Sequence, residues 1–287
     1  MSSRKHIIWN GVRIKHCPGL ETRLPTIRDW DVADDVIFVT SFPKTGTYWM
    51  MKTVSILVDA NRKYNGDVDI PDFDSVSSWL FLEELEREQL LMPIRPSMVV
   101  TTHIPRGLLP VKIWKNNKVI HTLRNPKDTA VSLYFYQRDR GFCMGDFEQF
   151  LQGFMDGELA HGSWFDKELD WWTHERQNPN VLFMSYEERL KAPEESTWKL
   201  IEFLGLYNIP RDNYFLQDVL KRTSFESTKE TDGPVINRSL DFKTGNFFRK
   251  GHVGDWKNFL TVKQNEEFDK VYRDKMKGSD IPIQFEG

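Results

Sequence analysis

The chain has 287 residues, 28% charged and 39% apolar, the balance of a soluble globular protein able to bury a large core. Its net charge of −3 argues against general nucleic-acid binding, and no apolar run approaches the ~20 residues that span a bilayer. Cys17 and Cys143 are too few for a disulfide framework or a zinc cluster, and Met-Ser-Ser-Arg-Lys-His at the start lacks a secretory apolar segment, so a reduced, cytoplasmic location is expected.

No linker divides the chain, and a single domain over 1–287 is expected, with 1–35 an N-terminal extension of little regular structure. Within it Pro18-Gly19 and Leu24-Pro25 read as turns. The β-branched run Val36-Ile37-Phe38-Val39 suits a buried strand, and Pro43 ends it by lacking an N–H. Lys44-Thr45-Gly46-Thr47 follow, and then helical spacing sets in, with Trp49, Val54, Leu57 and Val58 able to share a face. A strand, a tight turn and a helix N-terminus in that order make an anion site. This is not a Walker A loop, because Lys44 precedes the single Gly46.

Residues 61–78 are polar and punctuated, and read as a loop. Trp79-Leu80-Phe81-Leu82 reads first as one turn of core helix, with a substrate-facing cluster as the other reading. Further strands are expected at 98–102, 118–123 and 181–184, with helices at 128–138, 164–177 and 194–204 between and after them. Strands alternating with helices predict an α/β fold, a mostly parallel central sheet covered by helices on both faces. Ligands of such sheets sit outside the carboxyl ends of the strands, where Lys44, His103, Arg124 and Tyr186 all fall. Near the C-terminus, Phe247-Phe248-Arg249-Lys250-Gly251 sets adjacent cations beside a glycine, a pattern suited to gripping an anion but also to a basic surface turn.

From about Leu24 to the C-terminus these residues resemble the cytosolic sulfotransferases, which move a sulfuryl group from 3′-phosphoadenosine 5′-phosphosulfate (PAPS) to a hydroxyl or amine. Ser41-Phe42-Pro43-Lys44-Thr45-Gly46-Thr47-Tyr48-Trp49 is similar to that family's 5′-phosphosulfate loop, and the segment from Asn246 to Thr261 to its 3′-phosphate loop. Thr101 to Pro105 resembles the segment with the catalytic histidine, and Leu123 to Ser132 the one with a 3′-phosphate Arg and Ser. The resemblance implies His103 as general base, Lys44 on the leaving phosphate oxygen, and Ser132 restraining Lys44 and touching the 3′-phosphate. It implies Arg124, Arg249, Lys250 and Gly251 at the 3′-phosphate, with Phe247 and Phe248 in the same loop. Thr45, Gly46, Thr47 and Tyr48 would hold the 5′-phosphosulfate, Trp49 and Phe225 the adenine faces, and Tyr186 and Thr223 its edge. No metal is implied.

Four positions depart from the family pattern. Thr101 stands where Lys is usual, Thr45 where Ser is common, Tyr48 where Thr is common, and Phe225 is followed by Glu-Ser-Thr-Lys. A divergent member is expected. The acceptor, a small and aromatic or apolar molecule, should be walled by 79–82, 136–144 and 231–246, with Phe81 and Phe142 as candidate wall residues. Lys257, Thr261, Val262 and Glu266 resemble a homodimer motif and equally suit the capped start of a surface helix. Two rival functions stand beside the transferase: an ATP-dependent phosphotransferase, and a non-catalytic PAPS-binding relative.

Overall fold

The computed structural model describes residues 6–67, 79–92, 98–142 and 145–286. Its centre is a five-stranded sheet of β4 (Leu80–Phe81), β5 (Val99–Thr102), β3 (Ile37–Ser41), β6 (Val119–Leu123) and β7 (Val181–Ser185), in that order and parallel throughout. All of β3, β5 and β6 are buried, which explains their mostly apolar and β-branched sequences, interrupted only by Ser41 and His121: a parallel sheet is covered on both faces, so no alternation with polar residues is needed.

Successive residues still face opposite ways. Phe38 and Val100 pack into a core cluster with Leu20, Leu24, Ile27 and Trp171, while Val39, Val99 and Ile120 pack into another with Met50, Met51, Val54 and Leu57. The second set comes from the helix Thr47–Tyr64, whose Val54, Leu57 and Val58 are buried as their spacing predicts. The helices Pro126–Asp139, Phe147–Asp156 and Trp164–Glu175 enclose a third cluster around Phe42 and Leu123. Among the described residues no helix is long and apolar enough to cross a membrane.

The N-terminal segment differs from expectation. Residues 6–15 form an antiparallel hairpin of β1 (His6–Trp9) and β2 (Val12–Lys15). Its turn is Asn10-Gly11, both with positive φ (49° and 77°), the conformation of a two-residue hairpin turn. Asn-Gly between short alternating runs is the signal that identifies it in sequence. The supposed turn at Leu24-Pro25 lies inside the helix Leu20–Ile27, which buries Leu20, Leu24 and Ile27 along one stripe. Arg23 from that helix is buried and donates to the carbonyls of Pro18 (2.7 Å) and Glu83 (2.6 Å) and to the Glu86 carboxylate (3.0 Å), fastening the segment to the sheet edge. Residues 61–64 continue the preceding helix, and 68–78 lie outside the described residues.

Candidate active site

One cavity of about 310 Å³ opens along the carboxyl edge of the sheet, and Lys44, His103, Arg124 and Tyr186 all line it. That volume suits a small-molecule site. The expected convergence of strand ends is present.

At one end, Phe42 to Gly46 leave β3 through two left-handed residues, Lys44 (φ 71°) and Gly46 (φ 96°). A Cβ on Gly46 would meet the Tyr186 ring at 3.0 Å, so glycine serves both the turn and the close approach. The helix then begins at Thr47; its first-turn amides lack intrahelical acceptors, and Gly46, Thr47, Tyr48 and Trp49 line the cavity. The Thr45 hydroxyl is spent on structure: it donates to the Phe42 carbonyl (2.8 Å) and lies 3.0 Å from the Thr122 hydroxyl. Tyr48 differs more. Its phenol is buried and donates to Asp232 (2.9 Å), which also receives Lys52 (2.7 Å), so a phosphate has only the backbone of residue 48 to bind.

Arg124 and Arg249 converge through a residue that the sequence reading did not single out. Asp128, in the first turn of Pro126–Asp139, accepts from the backbone N–H of Gly254 (2.7 Å) and of Trp256 (2.9 Å). That clamp docks the C-terminal loop against the start of the helix that follows β6. The Arg124 and Arg249 Nε atoms are buried without a protein partner, as is Trp49 Nε1, which fits a ligand with several acceptor oxygens. Gly251 (φ 78°) lies so close to the Phe225 ring that a Cβ would stand 2.4 Å from it. Trp49 carries the Arg189 guanidinium 3.8 Å from its ring centre and meets Tyr186 edge-on at 5.5 Å. Thr223 and Lys250 also line the cavity, although the Thr223 hydroxyl donates to the Val219 carbonyl (2.8 Å).

Lys44 sits between the two ends. Its ammonium lies 3.8 Å from the centre of the Phe247 ring and 4.7 Å from that of Tyr136. Burial, and then the charges of Arg124, Arg249 and Arg140, pull its pKa down to about 7. Ser132 lines the cavity, but among the described residues no hydrogen bond joins it to Lys44. Phe247 and Phe248 pack against Tyr48 and line the cavity.

At the other end, His103 Nδ1 lies 3.0 Å from the Ser41 carbonyl and 3.2 Å from its hydroxyl. A carbonyl only accepts, so Nδ1 carries the proton and Nε2 keeps its lone pair. Ser41 in turn bonds the Thr47 hydroxyl (2.7 Å), which links the histidine to the start of the helix that follows β3. The His103 backbone N–H donates to the Glu83 carboxylate (2.6 Å), and its backbone carbonyl accepts from Lys167. Burial, and then Lys167, pull its pKa down to about 3, so the imidazole is neutral across the physiological range. Phe81 and Trp79 line this end: of the expected helix turn at 79–82, Leu80 and Phe81 enter the sheet as its edge strand, and only Leu82 begins a 3₁₀ turn, Leu82–Glu84. Phe142 does not line the cavity. It is 44% exposed beyond the helix Pro126–Asp139, with the Arg140 guanidinium over its ring, a correction to its assignment as a wall residue. Cys143 and Met144 lie outside the described residues. The wall includes Ile14 and Lys15 of the N-terminal hairpin, and His161. Among the described residues no group of three or more His, Cys, Asp or Glu could hold a metal ion.

The sulfotransferase domain model matches residues 34–280. The chain belongs to the sulfotransferase family. It is 34% identical over 270 residues to sulfotransferase 1B1 of Canis lupus familiaris, covering 88% of this chain and 87% of that protein. To human sulfotransferase 1C2 it is 31% identical, covering 94% and 95%. The crystal structure of mouse sulfotransferase SULT7A1 complexed with PAP superposes with a TM-score of 0.77 at 30% identity, over 97% of this chain and 96% of that one. Membership makes the chain an enzyme of sulfuryl transfer, and the parallel α/β fold expected from the sequence is the fold of that structure.

Proposed function

We propose that this sulfotransferase uses PAPS as donor and transfers its sulfuryl group to a hydroxyl, or an amine, of a small aromatic or apolar acceptor, with His103 as general base. The observation that carries the reading is the His103 tautomer: Nδ1–H is committed to the Ser41 carbonyl, and the basic Nε2 belongs to a residue lining the same cavity as Lys44 and the paired arginines. The mouse relative complexed with PAP supports the donor. In this reading Arg124, Ser132, Arg249, Lys250 and Gly251 receive the 3′-phosphate. The amides of Thr45, Gly46, Thr47 and Tyr48 receive the 5′-phosphosulfate, and adenine lies between Trp49 and Phe225, beside Tyr186 and Thr223.

The acceptor oxygen attacks sulfur in line, its proton passes to His103 Nε2, and the bond from sulfur to the phosphate oxygen breaks. Lys44 leaves the Phe247 ring to meet the charge that develops on that oxygen. Burial is the larger cause of the low His103 pKa, and the negative charge of a bound donor opposes only the smaller part that comes from Lys167, Lys15 and Lys44. A cytoplasmic location belongs to the same reading. So does a homodimer contact at Lys257, Thr261, Val262 and Glu266, where Thr261 caps the helix Val262–Lys275 and Val262 is 76% exposed.

The test is transfer of labelled sulfate from PAPS to phenols, steroids, alcohols and amines, with and without chelator. His103→Ala should lower kcat by about 10²–10⁴-fold, the range of general-base catalysis, while PAP still raises the melting temperature. A requirement for Mg²⁺ and ATP would overturn the reading in favour of a kinase. PAP binding without transfer to any acceptor would favour a non-catalytic relative.

A further inference from the structure

His161 lies in the connection between the helices Phe147–Asp156 and Trp164–Glu175, and the loop closes against the N-terminal hairpin. Gly162 (φ 73°) is so placed that a Cβ would stand 3.2 Å from the Arg13 carbonyl. The His161 ring stands across from His103 at a centroid distance of 5.7 Å and an angle of 87°, and both line the same cavity. A comparison within the molecule shows what is unusual here. His121, a buried histidine away from the cavity, has both nitrogens satisfied, Nδ1 by Thr40 (2.8 Å) and Nε2 by Glu168 (2.7 Å). His161 makes no hydrogen bond to any described residue, and its ring contacts are the edges of Phe42 and His103.

A histidine with both nitrogens unspent, beside a catalytic base, is a recognition group waiting for a ligand atom. Burial, then His103, Lys15 and Lys167, hold it well below its ordinary pKa. It is therefore neutral and presents one N–H donor and one lone pair. The mouth beyond it is polar: Lys15 and Glu84 are both exposed there and line the cavity.

We propose that His161 is a specificity-determining residue that binds a second hydrogen-bonding group on the acceptor, so that this site selects acceptors with a hydroxyl or amine on the carbon next to the one sulfated. The proposal rests on the sulfuryl-transfer reading of this cavity. The two rings meet edge to face, so ligand atoms hydrogen-bonded to the two imidazoles at about 3 Å sit side by side at the rim the rings share, the spacing of substituents on neighbouring carbons. His161 is half-buried in the free protein, and a monohydroxy acceptor fills one of the two positions while shutting water away from His161 without pairing it, which is where the discrimination arises.

The probes are catechol and phenol, titrated by tryptophan fluorescence into the PAP-saturated and the PAP-free protein, and compared as acceptors by kcat/KM. Wild-type protein is expected to bind catechol about 10–100-fold more tightly than phenol, the cost of leaving a buried polar group unpaired. His161→Phe should bring catechol down to the level of phenol, and His161→Asn, which keeps a donor and an acceptor, should recover part of the preference. The PAP-induced rise in melting temperature reports that both variants fold. Equal binding of the two probes to wild-type protein, or an equal fractional loss of both in His161→Phe, overturns the proposal. Failure of PAP to bind strikes the donor reading instead, and the catechol-to-phenol ratio in the PAP-free protein still decides this one.

Discussion

The proposed donor end of the cavity is built mostly from groups close behind the strand ends or in one contiguous C-terminal loop, with Thr223 and Phe225 added from two later helices. The acceptor end is assembled from a hairpin at residues 6–15, an edge strand, a helix and the loop around His161, which meet only in the folded protein. The contrast follows from the ligands. A phosphate is read by backbone amides and cations, which a short segment can supply on its own. An acceptor is read by the shape and polarity of a wall, which tertiary packing supplies.

That contrast can be broken most severely at Gly251. Substitution by Ala places a side chain in a left-handed conformation and drives its Cβ into Phe225. The Gly251→Ala variant should bind PAP about 100-fold more weakly, since strain of this kind costs roughly 1–3 kcal/mol, while direct binding of an acceptor probe to the PAP-free protein changes little. Titration calorimetry with PAP measures it. Parallel losses of both ligands would mean that the two ends are one mechanical unit.

A second way to separate the ends uses pH. Lys44, with its pKa near 7 in the donor-free enzyme, is charged below that value and neutral above it. The kcat/KM for PAPS, which reports the free enzyme, should therefore fall about tenfold per unit as pH rises above about 7. The acid side should stay flat well below 6.5, because His103 remains neutral there. In Lys44→Arg the alkaline limb should vanish, since a guanidinium keeps its proton.

The smallest effect is expected at Arg23, which ties the N-terminal helix to the Glu83 carbonyl. Arg23→Ala should raise the acceptor KM a few-fold and lower stability by about 1–3 kcal/mol, the cost of leaving buried carbonyls unpaired, with PAP affinity within twofold of wild type. Steady-state kinetics and denaturant melts decide it. A matching loss of PAP affinity would deny the independence of the two ends.

What the sequence makes legible divides along the same line. The central strands are visible because a doubly covered parallel sheet writes itself as short apolar runs, and the phosphate loop because Lys44, Gly46 and Thr47 are adjacent. Asp128 escapes notice because its partners, Gly254 and Trp256, lie 126 and 128 residues away. Tyr48 is misleading for a related reason: its position in the motif suggests a phosphate donor, but a buried carboxylate from residue 232 claims the phenol. His161 sits in Leu-Ala-His-Gly-Ser, which carries no motif, and only the facing His103 gives it meaning. The hairpin was legible in Asn10-Gly11, but strands of four residues give periodicity little to work on.

The hairpin has a consequence for descent. Two strands of four residues are marginal by themselves, and these stand because Ile7 and Ile14 sink into the same core cluster as Leu82 and Ile104. The sheet edge proposed to hold the nucleotide does not depend on the outward face of those strands. A lineage could therefore exchange residues such as Lys15, or the loop that rests on Arg13, and change what it modifies while inheriting its donor chemistry intact.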